Sequence, residues 1–383
     1  MWLPWLIFGC PPHLASVKCM ICSVLFLPDI RIFGRCWRRK TDSASSRCAR
    51  ITSCPAAPAS RTEGEGMATG FQLTPAGMTP EGTERYYLNM GPQHPSTHGV
   101  FRGILELDGE TVVKVIPVMG YLHRGLEKLA EARTYPQFIP YTDRLDYVGA
   151  MCNNLAYCQT IEKLAGIEVP ERAEYIRVMV AELNRIASHM LFIGATALDF
   201  GGATGMMYTF RDRELILDLL NLISGARLTY SYVRIGGVMS DITPEFNDLL
   251  RKFLADLPGM LHEYDLLING NEIFQHRLKG TSIVPLETLA SLGVTGPVLR
   301  AAGIPYDLRK KKPYSVYDRF EFDIPTGTAG DNWDRYYVRV QEISQSAKLI
   351  KQALEGVPEG PFMAKAPKII KPPAGEVYHS NET

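Results

Sequence analysis

Along the middle of the chain Ile176, Met179, Leu183, Ile186, Met190, Ile193 and Ala197 follow one another in alternating steps of three and four. That period lays an apolar seam along one helix face and predicts a buried helix over 171–199, opened after Pro170. The same period predicts helices over 121–133, 144–165, 206–223, 244–267 and about 331–354. Leu145, Val148, Cys152, Leu155 and Ile161 carry it in the segment 144–165. Thr243 as N-cap with Pro244 in the first turn opens the segment at 244.

Upstream the period falls to two. "TERYYLNM" (83–90) and "VFRGILELDGETVVKVIPV" (100–118) alternate as strands, and Asp108-Gly109 in the second is a hairpin-turn signal. Between 280 and 330 Pro, Gly and Tyr are frequent, and pieces such as "YSVYDRFEFDIP" read as short β-segments. The fold class expected is α+β: a small N-terminal antiparallel sheet over 67–120, a central multi-helix bundle over 121–279, and a mixed region over 280–383.

Composition alters this picture only at the start of the chain. Overall it is ordinary, 46% hydrophobic and 21% charged with zero formal charge. Residues 1–66, however, carry nine Lys/Arg against four Asp/Glu, leaving 32 against 37 for the rest. The mildly acidic body argues against a nucleic-acid surface. Six of the eight cysteines, including the Cys19/Cys22 pair, and three of the four tryptophans precede residue 55. The apolar stretch Trp2–Leu27 is cut by Pro4, Pro11, Pro12, His13 and Lys18, short of a spanning helix. Residues 1–66 are therefore expected to be a disordered or mis-started extension, with Met67 as the start of the body. An Arg-rich transit peptide using Arg31, Arg35, Arg38 and Arg39 is the alternative. Cys152 and Cys158 in the body are expected to be reduced, buried thiols.

Candidate chemistry concentrates in "GPQHPSTHGVFRG" (91–103), where His94 and His98 lie four apart. Pro95 disfavours helical dihedrals at His94, and Gly91-Pro92 break the chain further, so the histidines belong to a stiff loop suited to proton delivery. A lone histidine is more often structural; two on such a backbone shift the balance. "YTDRLDY" (141–147) brings Asp143, Arg144, Asp146 and Tyr147 to the start of an apolar helix. Capping accounts for Asp143 there, but not for Tyr147 or for an arginine at the positive end of the dipole. Asp199 ends the most apolar helix, where a carboxylate is costly unless paired, and a histidine on a facing loop would serve. Gly201-Gly202-x-x-Gly205 lacks the Lys-Ser/Thr of a phosphate loop and reads as a turn. Arg124 in "GYLHRGLEKL" can supply fixed positive charge that favours a reduced redox centre.

"GPQHPSTHG", "GYLHRGLEKL", "TYPQFIPYTDRLDY", "SGAR" and "DRFEFDIPTGTAGDNWDRY" together, in this order, resemble the D-type subunit of the proton-pumping NADH:quinone oxidoreductases, the 49 kDa subunit family of complex I. The resemblance runs from about Tyr86 to Tyr378. It implies a fold like the large subunit of nickel–iron hydrogenases, with Asp146 and Gly149 where the first metal-binding Cys pair of those enzymes stands. It implies a quinone headgroup between His98 and Tyr147, Asp199 paired to His98, and supporting roles for His94, Asp143 and Asp146. Arg124 and Arg144 are expected to face the terminal iron–sulfur cluster of a neighbouring subunit.

No cofactor is expected on this chain itself: quinone is the substrate and NADH is used elsewhere in the assembly, since no Gly-x-Gly-x-x-Gly fingerprint is present. The implied partners are the B-type iron–sulfur subunit, the C-type subunit and the H-type membrane subunit. The implied place is the cytoplasmic face of the bacterial inner membrane, or the matrix side of a mitochondrion. Two departures stand out. Thr229 follows "SGARL" where relatives often carry a histidine, and the chain stops at "GEVYHSNET", short of the family's usual end. The alternatives are a truncated, catalytically defunct structural subunit and a hydrogenase-like metalloenzyme.

Overall fold

The computed structural model describes residues 73–78, 84–365 and 369–382. The expectations for residues 1–66 lie outside these. The chain divides into two compact units, the first ending at Glu127 and the second beginning at Lys128.

The first unit holds a four-stranded antiparallel sheet in sequence order: β1 (Leu73–Met78), β2 (Glu84–Met90), β3 (Arg102–Asp108) and β4 (Thr111–Val118). The Asp108-Gly109 signal is realised as expected. Asp108 pairs with Thr111, and Gly109 takes the positive φ of +59° that this tight turn needs. Leu88 pairs with Leu105 and Leu105 with Val115, so one sheet face collects the apolar residues. Arg102 reaches across to grip Asn89 Oδ1 through Nε (3.2 Å) and a terminal nitrogen (2.8 Å). These pairs fix the strand ends that carry the histidine loop. The first predicted helix is shortened to α1 (Leu126–Glu131), because Gly120 and Gly125 take positive φ and keep residues 119–125 out of helical backbone.

The second unit is built around α4 (Glu171–Asp199), the helix the apolar seam predicts. Its seam residues are all buried, the Ile, Met and Leu side chains each worth roughly 1.5–3 kcal/mol relative to exposure. Packed on it are α3 (Ala150–Ala165), α5 (Ala203–Ser224) and α11 (Asn332–Gly356). α6 (Pro244–Tyr264) runs against α5 and starts as expected, the Thr243 hydroxyl accepting the Phe246 N–H at 3.2 Å. It is followed by a π-turn over Asp265–Asn269 and α7 (Glu272–Leu278). A two-stranded ribbon, β5 (Val233–Arg234) with β6 (Gly237–Val238), lies beside α3 and α4. Short helices α8 (Leu286–Ser291), α9 (Gly296–Ala301) and α10 (Leu308–Lys311) fill the region before α11.

The flank of α4 beside the seam carries Glu182 and His189, charged or polar and buried, and meets Glu342 of α11. Glu182 accepts from Tyr317 (2.6 Å), Ser346 (2.7 Å) and Arg309 (3.0 Å), while Glu342 joins Arg300 (2.6 Å) to His189 (2.8 Å). Buried charge of this kind survives only when every member is paired, and here acids and bases interleave. Cys152 and Cys158 are free, buried thiols, as expected, and burial pushes the Cys152 thiol up to about 11.

Two expectations differ. Residues 135–142 form a helix, α2 (Tyr135–Thr142), which Pro136 and Pro140 had masked. "YSVYDRFEFDIP" forms no strand: it is a 3-10 turn at Tyr317–Arg319 followed by extended backbone. That backbone is satisfied by glutamine side chains of α11 instead of a neighbouring strand. Gln352 accepts from Glu321 N–H (2.9 Å) and donates to its carbonyl (2.7 Å), and Gln345 accepts from Asp323 N–H (3.0 Å).

Candidate functional site

The histidine loop leaves β2 through Gly91-Pro92, a cis peptide. Gly91 has φ +84°, and a Cβ there would lie 2.0 Å from the Phe101 carbonyl oxygen. Only glycine lets the two ends of the loop close this tightly. His94 is extended (φ −158°, ψ 140°), as Pro95 requires, and caps the 3-10 turn Pro95–Thr97. Its Nδ1 accepts the Ser96 N–H at 3.1 Å, so in the neutral ring the proton sits on Nε2. Thr97 is buried, its hydroxyl 2.9 Å from both the Pro92 and the His94 carbonyl oxygens. His98 adopts the left-handed conformation (φ 52°, ψ 27°), its N–H donating to the Pro95 carbonyl at 3.3 Å. That conformation is uncommon for a residue with a Cβ. The loop therefore holds both imidazoles by closed hydrogen-bonded turns.

In the second unit residues 143–149 make a succession of turns between α2 and α3. Tyr147 thus sits on a turn and not on the predicted helix, which starts only at Ala150. Asp146 explains the delay: its Oδ1 accepts the Val148 N–H (3.1 Å), and its carbonyl accepts from Gly149 N–H and Asn153 Nδ2 (both 3.1 Å). Asn184 of α4 clamps the same turn, donating to the Val148 carbonyl (2.9 Å) and accepting the Met151 N–H (3.0 Å). Arg144 is exposed and donates to the Pro140 carbonyl at 2.5 Å. Burial, assisted by the Asp146 charge, holds the half-buried Tyr147 phenol above its ordinary value. It keeps its proton near neutral pH and can donate it in a hydrogen bond.

Asp143 corrects a second expectation. It caps the C-terminal end of α2 (φ −55°, ψ −30°), not the start of α3, so the dipole does not favour its charge. It is 0% exposed. Burial pushes its carboxyl up to about 6, against weaker pulls from the Ser231 backbone, the Arg144 charge and the Ser231 and Asn154 side chains. Asn154, Ser231 and Tyr230 were missed in the sequence; the adjacent amides Asn153-Asn154 in an apolar helix were the one available signal.

Asp199 is the last residue of α4 but lies exposed on this chain, so the argument from a buried carboxylate does not apply to it. The α4 helix ends at Phe200, after which Gly201 takes a positive φ of +88°, and Gly202 N–H closes the turn onto the Ala197 carbonyl at 2.7 Å. The Gly201–Gly205 run is the turn expected. Arg124 is exposed in the loop before α1. Thr229 takes a left-handed φ of 53° in the segment joining α5 to β5, while nearby Arg227 pairs with Asp218 (2.5 Å) and Glu214. Among the described residues no group of three or more His, Cys, Asp or Glu side chains is arranged to hold a metal ion.

Residues 199–383 match the family described as "Respiratory-chain NADH dehydrogenase, 49 Kd subunit". The D-type NADH-quinone oxidoreductase subunit of Desulforamulus reducens is 60% identical over 301 residues, 79% of this chain and 82% of that protein. The chain belongs to the 49 kDa subunit family of NADH-quinone oxidoreductases. The corresponding subunit of Carboxydothermus hydrogenoformans is 60% identical over 300 residues (78% and 82% of the two chains), and that of Bacillus anthracis 50% over 297 (77% and 81%). The family match begins at Asp199, and the five motifs that carry the resemblance point to this same family.

Proposed function

We propose that this chain forms the quinone-reduction site of a proton-translocating NADH:quinone oxidoreductase, lying in its peripheral arm next to the terminal iron–sulfur cluster of a neighbouring subunit. The observation that carries the reading is the 60% identity to the Desulforamulus reducens protein over 79% of the chain. Two-electron reduction puts negative charge on two quinone oxygens, each of which needs a donor and then a proton. His98 donates to one oxygen and Tyr147 to the other, so that quinone, two electrons and two protons give quinol. Asp199 is the carboxylate assigned to pair with His98. His94, Asp143 and Asp146 support the two donors. The raised Tyr147 phenol and the stiff His98 backbone support these roles.

Arg124 and Arg144 face the cluster, where fixed positive charge favours its reduced state. The partners are the B-type iron–sulfur subunit, the C-type subunit and the H-type membrane subunit; NADH is oxidised elsewhere in the assembly. Among the described residues no helix is long and apolar enough to cross a membrane, and attachment to the cytoplasmic face of the membrane is assigned to the partner subunits. The test is quinone reduction by the assembled complex carrying His98→Ala or Tyr147→Phe. Each is expected to lower turnover at least about tenfold, the scale of one well-placed donor or acid. Unchanged turnover in both overturns the reading.

A further inference from the structure

An asparagine in the middle of the most apolar helix is costly unless its amide is fully used. Asn184 is 3% exposed and stands one residue past Leu183 of the α4 seam. Both halves of its amide leave α4 for the turn that carries Tyr147. Nδ2 donates to the Val148 carbonyl at 2.9 Å, and Oδ1 accepts the Met151 N–H at 3.0 Å. These two partners fix which way the amide points. A carbonyl has no hydrogen to give and a backbone N–H accepts nothing, so the turned amide would lose both bonds. Asn153 of α3, 8% exposed, adds another grip, its Nδ2 donating to the Asp146 carbonyl at 3.1 Å.

Support for the start of α3 explains part of this. Met151 N–H is one of the first-turn donors that a helix cannot satisfy from within. It does not explain the bonds to Asp146 and Val148, which precede the helix and are the two neighbours of Tyr147. The Asp146 carbonyl belongs to the peptide plane on the N-terminal side of Tyr147. The Val148 N–H, taken by Asp146 Oδ1 at 3.1 Å, belongs to the plane on the other side. The Val148 carbonyl, held by Asn184, belongs to the plane after that. Three successive planes are thereby held around Tyr147, so the backbone leaves the phenol little play beyond its own side-chain torsions.

We propose that Asn184, assisted by Asn153, is a positioning residue that aims the Tyr147 phenol at the quinone oxygen to which it donates. This deepens the quinone-site reading and rests on it. Neither asparagine touches substrate; each acts through the backbone beside Tyr147. A misplacement of about 1 Å costs on the order of a hundredfold where orientation limits the rate, so loosening one grip is expected to cost about tenfold.

A double-mutant cycle in the assembled complex tests it, with turnover counted per assembled complex so that poor folding does not mimic slow chemistry. Asn184→Ala is expected to lower kcat about tenfold with the quinone KM little changed. When Tyr147→Phe is already present, the same change is expected to cost less than about twofold. Asn153→Ala, which removes the other grip, is expected to repeat the pattern and carries the test if Asn184→Ala does not assemble. Equal losses with and without Tyr147→Phe, or no loss at all, overturn the positioning role and leave the donor assignment standing. A Tyr147→Phe complex that turns over like wild type removes the donor assignment, and the positioning role with it.

Discussion

The Thr97 hydroxyl lies 2.9 Å from the Pro92 carbonyl oxygen, fastening the far end of the histidine loop to its entry. A second acceptor, the His94 carbonyl, shares the same hydrogen at the same distance. Thr97→Val keeps the shape and removes the hydroxyl donor, leaving the Pro92 and His94 carbonyls with only their backbone donors, His94 N–H (3.2 Å) and Thr97 N–H (3.1 Å). We expect a loss of about 1–2 kcal/mol, with faster amide exchange over residues 92–101. An exchange pattern identical to wild type would show that the hydroxyl does not hold the loop.

Arg177 is 0% exposed and answers several acceptors at once: Glu162 (2.5 and 3.0 Å), Glu174 (2.8 Å) and the carbonyls of Arg234 (2.8 Å) and Gly237 (3.1 Å). It thereby joins α3, α4 and the β5–β6 ribbon. Arg177→Met leaves the buried Glu162 charge without its partner, and a cost of roughly 3–5 kcal/mol is expected. Urea denaturation measures it. A cost below about 1 kcal/mol, the scale of an exposed pair, would contradict the burial argument.

Glu182 contributes to the acid stability of the second unit, alongside the likewise depressed Glu342 and Asp307. Burial alone would push its carboxyl up, but Arg185, Arg309 and the Tyr317 and Ser346 hydroxyls more than reverse this and hold it at about 2. Its folded value is depressed below the ordinary 4.5, so its contribution is present above that value and is lost as pH falls toward 2. Stability of the wild type should drop through this window. Glu182→Gln should be less stable at pH 7 and lose less between pH 5 and pH 2; parallel curves would refute the assignment.

Asp143 acts with the opposite sign. Its folded value of about 6 lies above the ordinary 3.8, so its contribution is complete below the lower value and is lost as pH rises through the upper one. At pH 8 the wild type carries a penalty on the order of 3 kcal/mol from this group. Asp143→Asn removes the titration, so its stability relative to wild type should rise between pH 4 and pH 8. Denaturation at the two pH values checks it, and an equal difference at both would sink the claim.

Much of this was readable beforehand, for identifiable reasons. The seam from Ile176 to Ala197 and the Thr243 cap are local statements that nothing distant contradicts. The same holds for Asp108-Gly109 and for the proline-stiffened histidine loop. Tyr147 was misplaced because apolar spacing at Leu145 and Val148 looks helical, while the Asp146 side chain takes the backbone N–H that a helix start would leave open. Asp199 was expected to be buried from the apolarity of the residues before it, but a helix end turns outward where the chain does. The surroundings of Asp143 join residues 11 and 88 positions away in the chain. Composition and period carry no trace of such a meeting.

The extended run after Phe320 has the alternation of an aggregation-prone strand, yet Gln345 and Gln352 occupy its backbone groups. Side chains of a helix do here what a covering strand does elsewhere, and they give a second molecule no template on which to extend a sheet. Replacing those two glutamines by leucine would leave the interior intact and unmask an adhesive edge, making solubility on storage more sensitive to this pair than folding itself.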